Sequence, residues 1–273
     1  MEWSKLKSII LILLVVVDLL LMGLAMYLHA QTRHQRQNAE ADLIALFAQS
    51  DIALPPSCLP AREPLLSPRT TVRDTDAEAQ AAAALLGEIT ETNLSGSTHS
   101  FASDRGTAVF SANGNFSVTL EPGALPAAGS PARQAAKLLR SMGVEAVQAD
   151  AAGEAEAAEL VFTQTVEDLP IFSCTVTFGY DETSLISCSG RCLLGETPVR
   201  SGDTPLSTAT LLLHFLNDVK TGGDLCSEIT SLDYGYRFTG SYGSALTPVL
   251  RISTNIGDYF VSASAASVDR TGS

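Results

Sequence analysis

The chain has 273 residues, 45% of them hydrophobic, and a mean hydropathy of +0.18, so it can bury a core and disorder is excluded as its default state. Seventeen basic residues stand against 30 acidic ones, a formal charge of −13, which leaves no surplus of cations to neutralise phosphates and excludes nucleic acid as a natural partner. Setting aside Glu2, Lys5, Lys7 and Asp18 leaves 15 basic and 28 acidic residues, and a part so charged does not lie flat on anionic lipid.

Ile9 to Leu28 is an apolar run of about 20 residues, roughly 30 Å as a helix, which matches a bilayer core. It exceeds the apolar region of a cleaved signal peptide, and Leu28-His29-Ala30 is a poor cleavage site. The run therefore predicts an uncleaved transmembrane helix over 9–28. Lys5 and Lys7 precede it and Arg33 and Arg36 follow it, so basic residues alone do not orient it. The remainder holds only Lys137 and Lys220 as lysines and carries all five cysteines, which suits an exported domain. Residues 1–8 are thus expected in the cytoplasm and the C-terminal domain outside a plasma membrane. Asp18 interrupts the run. A carboxylate there costs about 2.5–3.5 kcal/mol on insertion scales, against about 0.3–0.6 returned by each Leu, Ile or Val. A polar contact to another membrane helix is the expected reason for keeping it.

Gln31 to Gln49 has the spacing of a helix extending into an amphipathic stalk, ended by Pro55 and Pro56, and Ser50 to Arg69 reads as a Pro-rich connector, so 29–69 forms a juxtamembrane segment. Three units follow. In 70–130, a helix is predicted from about Asp74 to Ile89, with Asp74 or Thr75 as N-cap, then strands Thr107 to Phe110 and Asn115 to Leu120 joined through Asn113-Gly114. In 131–200, Pro131 to Met142 reads as a helix, capped by Ser130 and closed by Gly143. Strands follow it at Glu159 to Glu167, Pro170 to Phe178 and Ser184 to Leu193. In 201–273, a helix starts at Ser207 with Leu211, Leu212, Phe215 and Leu216 on one face. Strands come after it at Ile229 to Thr239, Thr247 to Thr254 and Tyr259 to Ser264. Helices and antiparallel hairpins in this order imply an α+β fold.

Residues for chemistry are sparse. The chain has no Gly-x-Ser-x-Gly elbow, His-Glu-x-x-His pair or phosphate-binding Gly-Lys loop. His29 and His34 sit beside the apolar run, His99 in a Ser/Thr/Gly loop and His214 in the Ser207 helix, none with a base or carboxylate at a readable spacing. The Phe and Tyr residues of the strands read as core. Cys188-x-x-x-Cys192 has no second matching pair for zinc. No catalytic residue, metal or cofactor is therefore expected. Cys174 and Cys188 fall opposite each other if their strands turn around Asp181-Glu182, which predicts a cross-strand disulfide.

The opening Met1-Glu2-Trp3-Ser4-Lys5-Leu6-Lys7, running straight into an apolar helix with one polar residue at Asp18, resembles the start of the YycI (WalI) family. That family usually has Asn at about this place, so Asp18 is a departure. The segments Phe162-Thr163-Gln164…Leu169-Pro170-Ile171-Phe172 and Pro248-Val249-Leu250-Arg251-Ile252…Gly257-Asp258-Tyr259-Phe260 resemble the paired strands of YycI and YycH extracellular domains. Those domains are similar to PepSY-type modules, with a curved antiparallel sheet wrapped on a helix. The resemblance implies a non-catalytic protein of Gram-positive bacteria, anchored by one helix. Together with a YycH-like protein it would modulate a sensor histidine kinase of the YycG (WalK) type, within a two-component system controlling cell-wall metabolism. It also implies that Asp18 and Trp3 meet neighbouring membrane helices. The alternative is a membrane-tethered PepSY-like binding module or inhibitor of an exported enzyme.

Overall fold

The computed structural model describes residues 14, 17, 20–22, 38–60, 62–64, 66–127, 129–149, 159–200, 205–223, 225–264 and 267–270. Trp3, Asp18 and most of the expected membrane helix lie outside these residues. Within the expected span, Leu14, Val17, Leu20, Leu21 and Met22 are helical and exposed. Among the described residues, no helix is long and apolar enough to cross a membrane.

Residues 38–48 form α1, whose Leu43 and Phe47 are buried on one face. The connector that follows holds a 3-10 turn at Pro56–Cys58 and is tied into the fold, since Ile52, Leu54 and Leu66 are all buried. Helix α2, Thr75–Leu86, starts at Asp74, whose carboxylate accepts from the amides of Asp76 and Ala77, and stops at Gly87 with φ +76°. Helix α3 is Pro131–Ser141, with Pro131 in its first turn; Ser130 precedes it but makes no side-chain cap bond. Helix α4 is Thr208–Gly222, capped by the Ser207 hydroxyl accepting from the Thr210 amide.

Among the described residues, thirteen strands form the sheet: β1 Arg69–Thr70, β2 Glu91–Ser95, β3 Thr98–Ser103, β4 Gly106–Ser111, β5 Asn115–Leu120, β6 Ala146–Gln148, β7 Glu159–Val166, β8 Leu169–Tyr180, β9 Leu185–Arg191, β10 Ile229–Phe238, β11 Ala245–Thr254, β12 Gly257–Ser262 and β13 Val268–Arg270. The main path runs β13-β12-β11-β10-β8-β9-β5-β4-β3-β2, with β1 on β11 and with β7, bearing β6, on the other edge of β8. These strands pair antiparallel except at β8–β10, a parallel contact at Ile171 and Tyr236. The fold is α+β, with a large, mostly antiparallel sheet and few helices.

Because β5 pairs with β9, residues 70–130 and 131–200 share one sheet and one core, in which Leu85 and Leu86 of α2 and Leu139 of α3 pack on Phe110, Val118, Phe162 and Phe178. A second core joins α1 and α4 to β10–β12 through Phe47, Phe215, Leu250 and Tyr259. Between them a small third core, including Leu66, Ile171, Cys174, Leu193, Tyr236 and Phe238, closes the seam.

Candidate functional site

With the helices covering one face, the opposite face of the sheet is open, and register tells what it presents. From β2 across to β7, one outward row reads Asn93, Ser100, Val109, Ser117, Ser189, Thr177 and Val161. The next reads Glu91, Ala102, Thr107, Thr119, Ser187, Gly179 and Glu159. In a chain with 47 charged residues, charge enters these rows only at the two edge positions, Glu91 and Glu159. Small hydroxyl and β-branched side chains suit the pleat sterically, and here they leave a neutral platform.

At the seam the platform meets a cleft of about 350 Å³ lined by Phe172, Ser173, Arg237, Arg251, Asp258 and Phe260, among others. Strand alternation from Cys174, Val176 and Phe178 would turn Phe172 inward. However, between β7 and β8 the pairing jumps from Thr163–Thr175 to Thr165–Pro170, so β8 bulges there and Phe172 comes out on the open face. Gly235 makes room for it: a Cβ at that position would lie 2.7 Å from the Phe172 ring. The rings of Phe172 and Phe260 stand 5.5 Å apart, with the Arg251 guanidinium 4.8 Å from the first and that of Arg237 4.9 Å from the second. Arg251 also bonds Asp233 at 2.8 Å and Arg237 bonds Asp269 at 3.0 Å. Each guanidinium is thus held by one ring and one carboxylate, with other N–H groups left over, an arrangement pre-set to take a carboxylate or a planar polar group. Reading the strand aromatics as core was right for Phe162 and Phe178 but fails for Phe172 and Phe260, because their outward positions follow from the bulge and from pairing across four strands.

A second polar cluster is buried under α2. Glu78 accepts from Arg73 Nε at 2.7 Å and from its Nη2 at 3.1 Å, and lies 3.0 Å from His99 Nδ1. His99 sits in strand β3, facing inward beside Phe101, rather than in a loop. Its carboxylate partner is 21 residues away in sequence, so no local spacing could have shown it. Arg73 also donates to the Ser97 carbonyl at 3.0 Å. The cluster is enclosed, and its geometry fits a structural tie between α2 and β3.

A smaller, largely apolar pocket of about 150 Å³ lies at the start of α4, lined in part by Leu43, Leu59, Glu63 and Thr208. There the Glu63 carboxylate is already engaged, accepting from the amide and hydroxyl of Thr208.

The cysteines depart from expectation. Asp181 accepts from the amides of Thr183 and Ser184 at 2.7 and 2.6 Å, which makes the hairpin loop Asp181 to Ser184 and moves its centre one residue along, and a bulge between Gly179 and Tyr180 shifts the pairing further. Cys188 then pairs with Phe178, not Cys174, and Cys174, Cys188 and Cys192 are buried thiols outside any disulfide. Among the described residues no three His, Cys, Asp or Glu side chains gather as metal ligands. Burial pushes the Cys174 thiol up from 9.0 to about 11 and the Tyr180 phenol from 10.0 to about 12. Above pH 9 the unfolded chain ionises at these groups before the folded one does, so rising pH favours unfolding. The urea midpoint is expected to be unchanged by these groups up to about pH 8 and to fall steadily from about pH 9 to 11.

No family model and no curated protein matches this chain. Among solved structures, it is similar to an uncharacterized protein from Eubacterium rectale, with 11% identity and a TM-score of 0.42 over 76% of this chain and 81% of that one. A likeness of that size carries no argument. What the geometry defines is an α+β domain with helices on one side of a single sheet and a patterned, open face on the other.

Proposed function

We propose that this protein is a non-catalytic accessory regulator that binds its partner through the open sheet face, with the cleft at the seam as the anchoring point. The observation that carries this reading is the pair of ring-stacked guanidiniums of Arg237 and Arg251 beside a neutral platform, on an otherwise acidic molecule. Aromatic and Arg side chains held rigidly are the groups that dominate protein interfaces. The partner proposed is a sensor histidine kinase of the YycG (WalK) type, acting with a YycH-like protein. That identity is supported by the opening residues through Lys7, by the apolar run Ile9 to Leu28 and by Asp18, which together also favour a plasma-membrane anchor with the domain outside. Two contacts are then predicted, one in the membrane through Asp18 and Trp3, the other outside through the cleft.

The test is co-purification of the full chain with the kinase from detergent-solubilised membranes. Asp18→Leu and the double variant Arg237→Glu, Arg251→Glu are each expected to reduce recovery of the kinase at least about 5–30-fold, in line with 1–2 kcal/mol per lost contact. Asp18→Asn, which keeps hydrogen-bonding capacity, should lose less. Undiminished recovery in both variants overturns the reading.

A further inference from the structure

We infer that Cys174 and Cys192 are the partners of an intramolecular disulfide that locks the seam between the two halves of the sheet. Strands β8 and β9 pair Phe178 with Cys188 and Val176 with Gly190. Carried two residues further, the same register sets Cys174 opposite Cys192. Cys174 lies in β8 and Cys192 one residue past the end of β9, and the two are 0% and 1% exposed. The strands remain in close contact up to this point, since a Cβ on Gly190 would lie 2.1 Å from the Thr175 carbonyl oxygen.

Just beyond, the chain is held over β8 by a buried amide clamp. Gln164 of β7 accepts from the Leu193 amide at 2.8 Å and donates to the Leu193 carbonyl at 2.9 Å. Leu193 packs in the same small core as Cys174. Residues opposed on antiparallel strands have Cα atoms about 4.5–5.5 Å apart, within the span of about 4.4–6.8 Å that a disulfide bridges. The other cysteines are worse placed. Cys188 is four residues from Cys192 along an extended strand, about 13 Å at the usual rise. Cys226 belongs to the core under α4, and Cys58 bonds the Thr230 carbonyl at the start of β10.

Forming the bond removes two protons and two electrons from the pair, and a disulfide oxidant such as oxidised glutathione accepts them. One thiolate attacks the oxidant, giving a mixed disulfide and releasing one glutathione; the second thiolate then displaces the other glutathione as the protein S–S bond forms. Burial raises both thiols, that of Cys174 to about 11, so the folded seam holds little thiolate and the exchange belongs to folding, while the seam is open.

The experiment is to unfold the full chain with reductant, refold it in a mixture of reduced and oxidised glutathione, and map it without reduction. Trypsin cuts after Arg191, releasing Cys192 from the peptide that carries Cys174 and Cys188, and cleavage after Glu182 separates those two. The expected product is a Cys174–Cys192 link, present in Cys188→Ser and absent in Cys192→Ser. The oxidised protein should melt about 5–10 °C above the reduced one, as a loop of this length implies. A Cys174–Cys188 link, or all five thiols open to alkylation after unfolding the refolded wild-type protein, overturns the inference; three open thiols are expected.

Discussion

Replacing Glu78 with Ala is expected to lower the unfolding free energy by about 3–5 kcal/mol, the range seen when one partner of a buried ion pair is removed. The side chain is 2% exposed and serves two cationic or donor groups at once, Arg73 through both carboxylate oxygens and His99 through one. Arg73 is 18% and His99 8% exposed, so neither regains full hydration when the carboxylate goes, and the loss is close to the desolvation cost of the groups left behind. The position magnifies it. Glu78 lies in the first turn and a half of α2, one turn after the Asp74 cap, and ties that helix to β3, which carries Phe101 into the main core. Urea denaturation followed by far-UV circular dichroism measures the change. Glu78→Gln should cost less than Glu78→Ala because it keeps an acceptor for Arg73. A loss under about 1 kcal/mol in Glu78→Ala would show that the ionic tie is not what fastens α2 to the sheet.

Elements with a local chemical signature were legible in the sequence. Asp74 and Gly87 bound α2, Pro131 opens α3, Ser207 caps α4, and Asn113-Gly114 turns β4 into β5, with Gly114 at φ +82° as that turn requires. Strands β2 and β3 were not legible. Glu91-Thr-Asn-Leu-Ser is an edge strand exposed at every position, so it shows no alternation. In β3, the inward residue before Phe101 is His99, which reads as polar until its partner Glu78 is known.

The cleft escaped for a different reason. Its residues come from β7, β8, β10, β11 and β12, and the one that sequence alternation could have placed, Phe172, is on the other side of a bulge. Register is the quantity that the sequence leaves weakest, since a slip changes which face a residue joins without changing the strand itself. The Cys174 and Cys188 expectation failed on the same quantity: the strands were found, but the Asx turn at Asp181 and the bulge between Gly179 and Tyr180 shifted their pairing.

Gly190→Ala is the second substitution expected to act strongly, by about 3–5 kcal/mol, and it reports on the seam directly. Gly190 has φ +142°, a region that residues with a Cβ occupy only at a cost of about 1–3 kcal/mol. Its added Cβ would also stand 2.1 Å from the Thr175 carbonyl oxygen and 3.1 Å from the Val176 Cα, both backbone atoms that cannot turn aside. Relief requires β8 and β9 to separate where the sheet passes from its first core to its third, and that opening would expose Val176 and Cys174 together. Gly257 provides the control. It has a comparable φ of +133°, but a Cβ there meets nothing within 4 Å, so Gly257→Ala should pay backbone strain alone, about 1–2 kcal/mol. The difference between the two variants in denaturant midpoint therefore isolates the steric contact between strands. Equal losses would mean that the seam yields freely at Gly190 and that β8 and β9 are not closely paired there. A much larger loss in Gly190→Ala, with hydrogen exchange accelerated in β8 and β9 before the rest of the sheet, is the expected result.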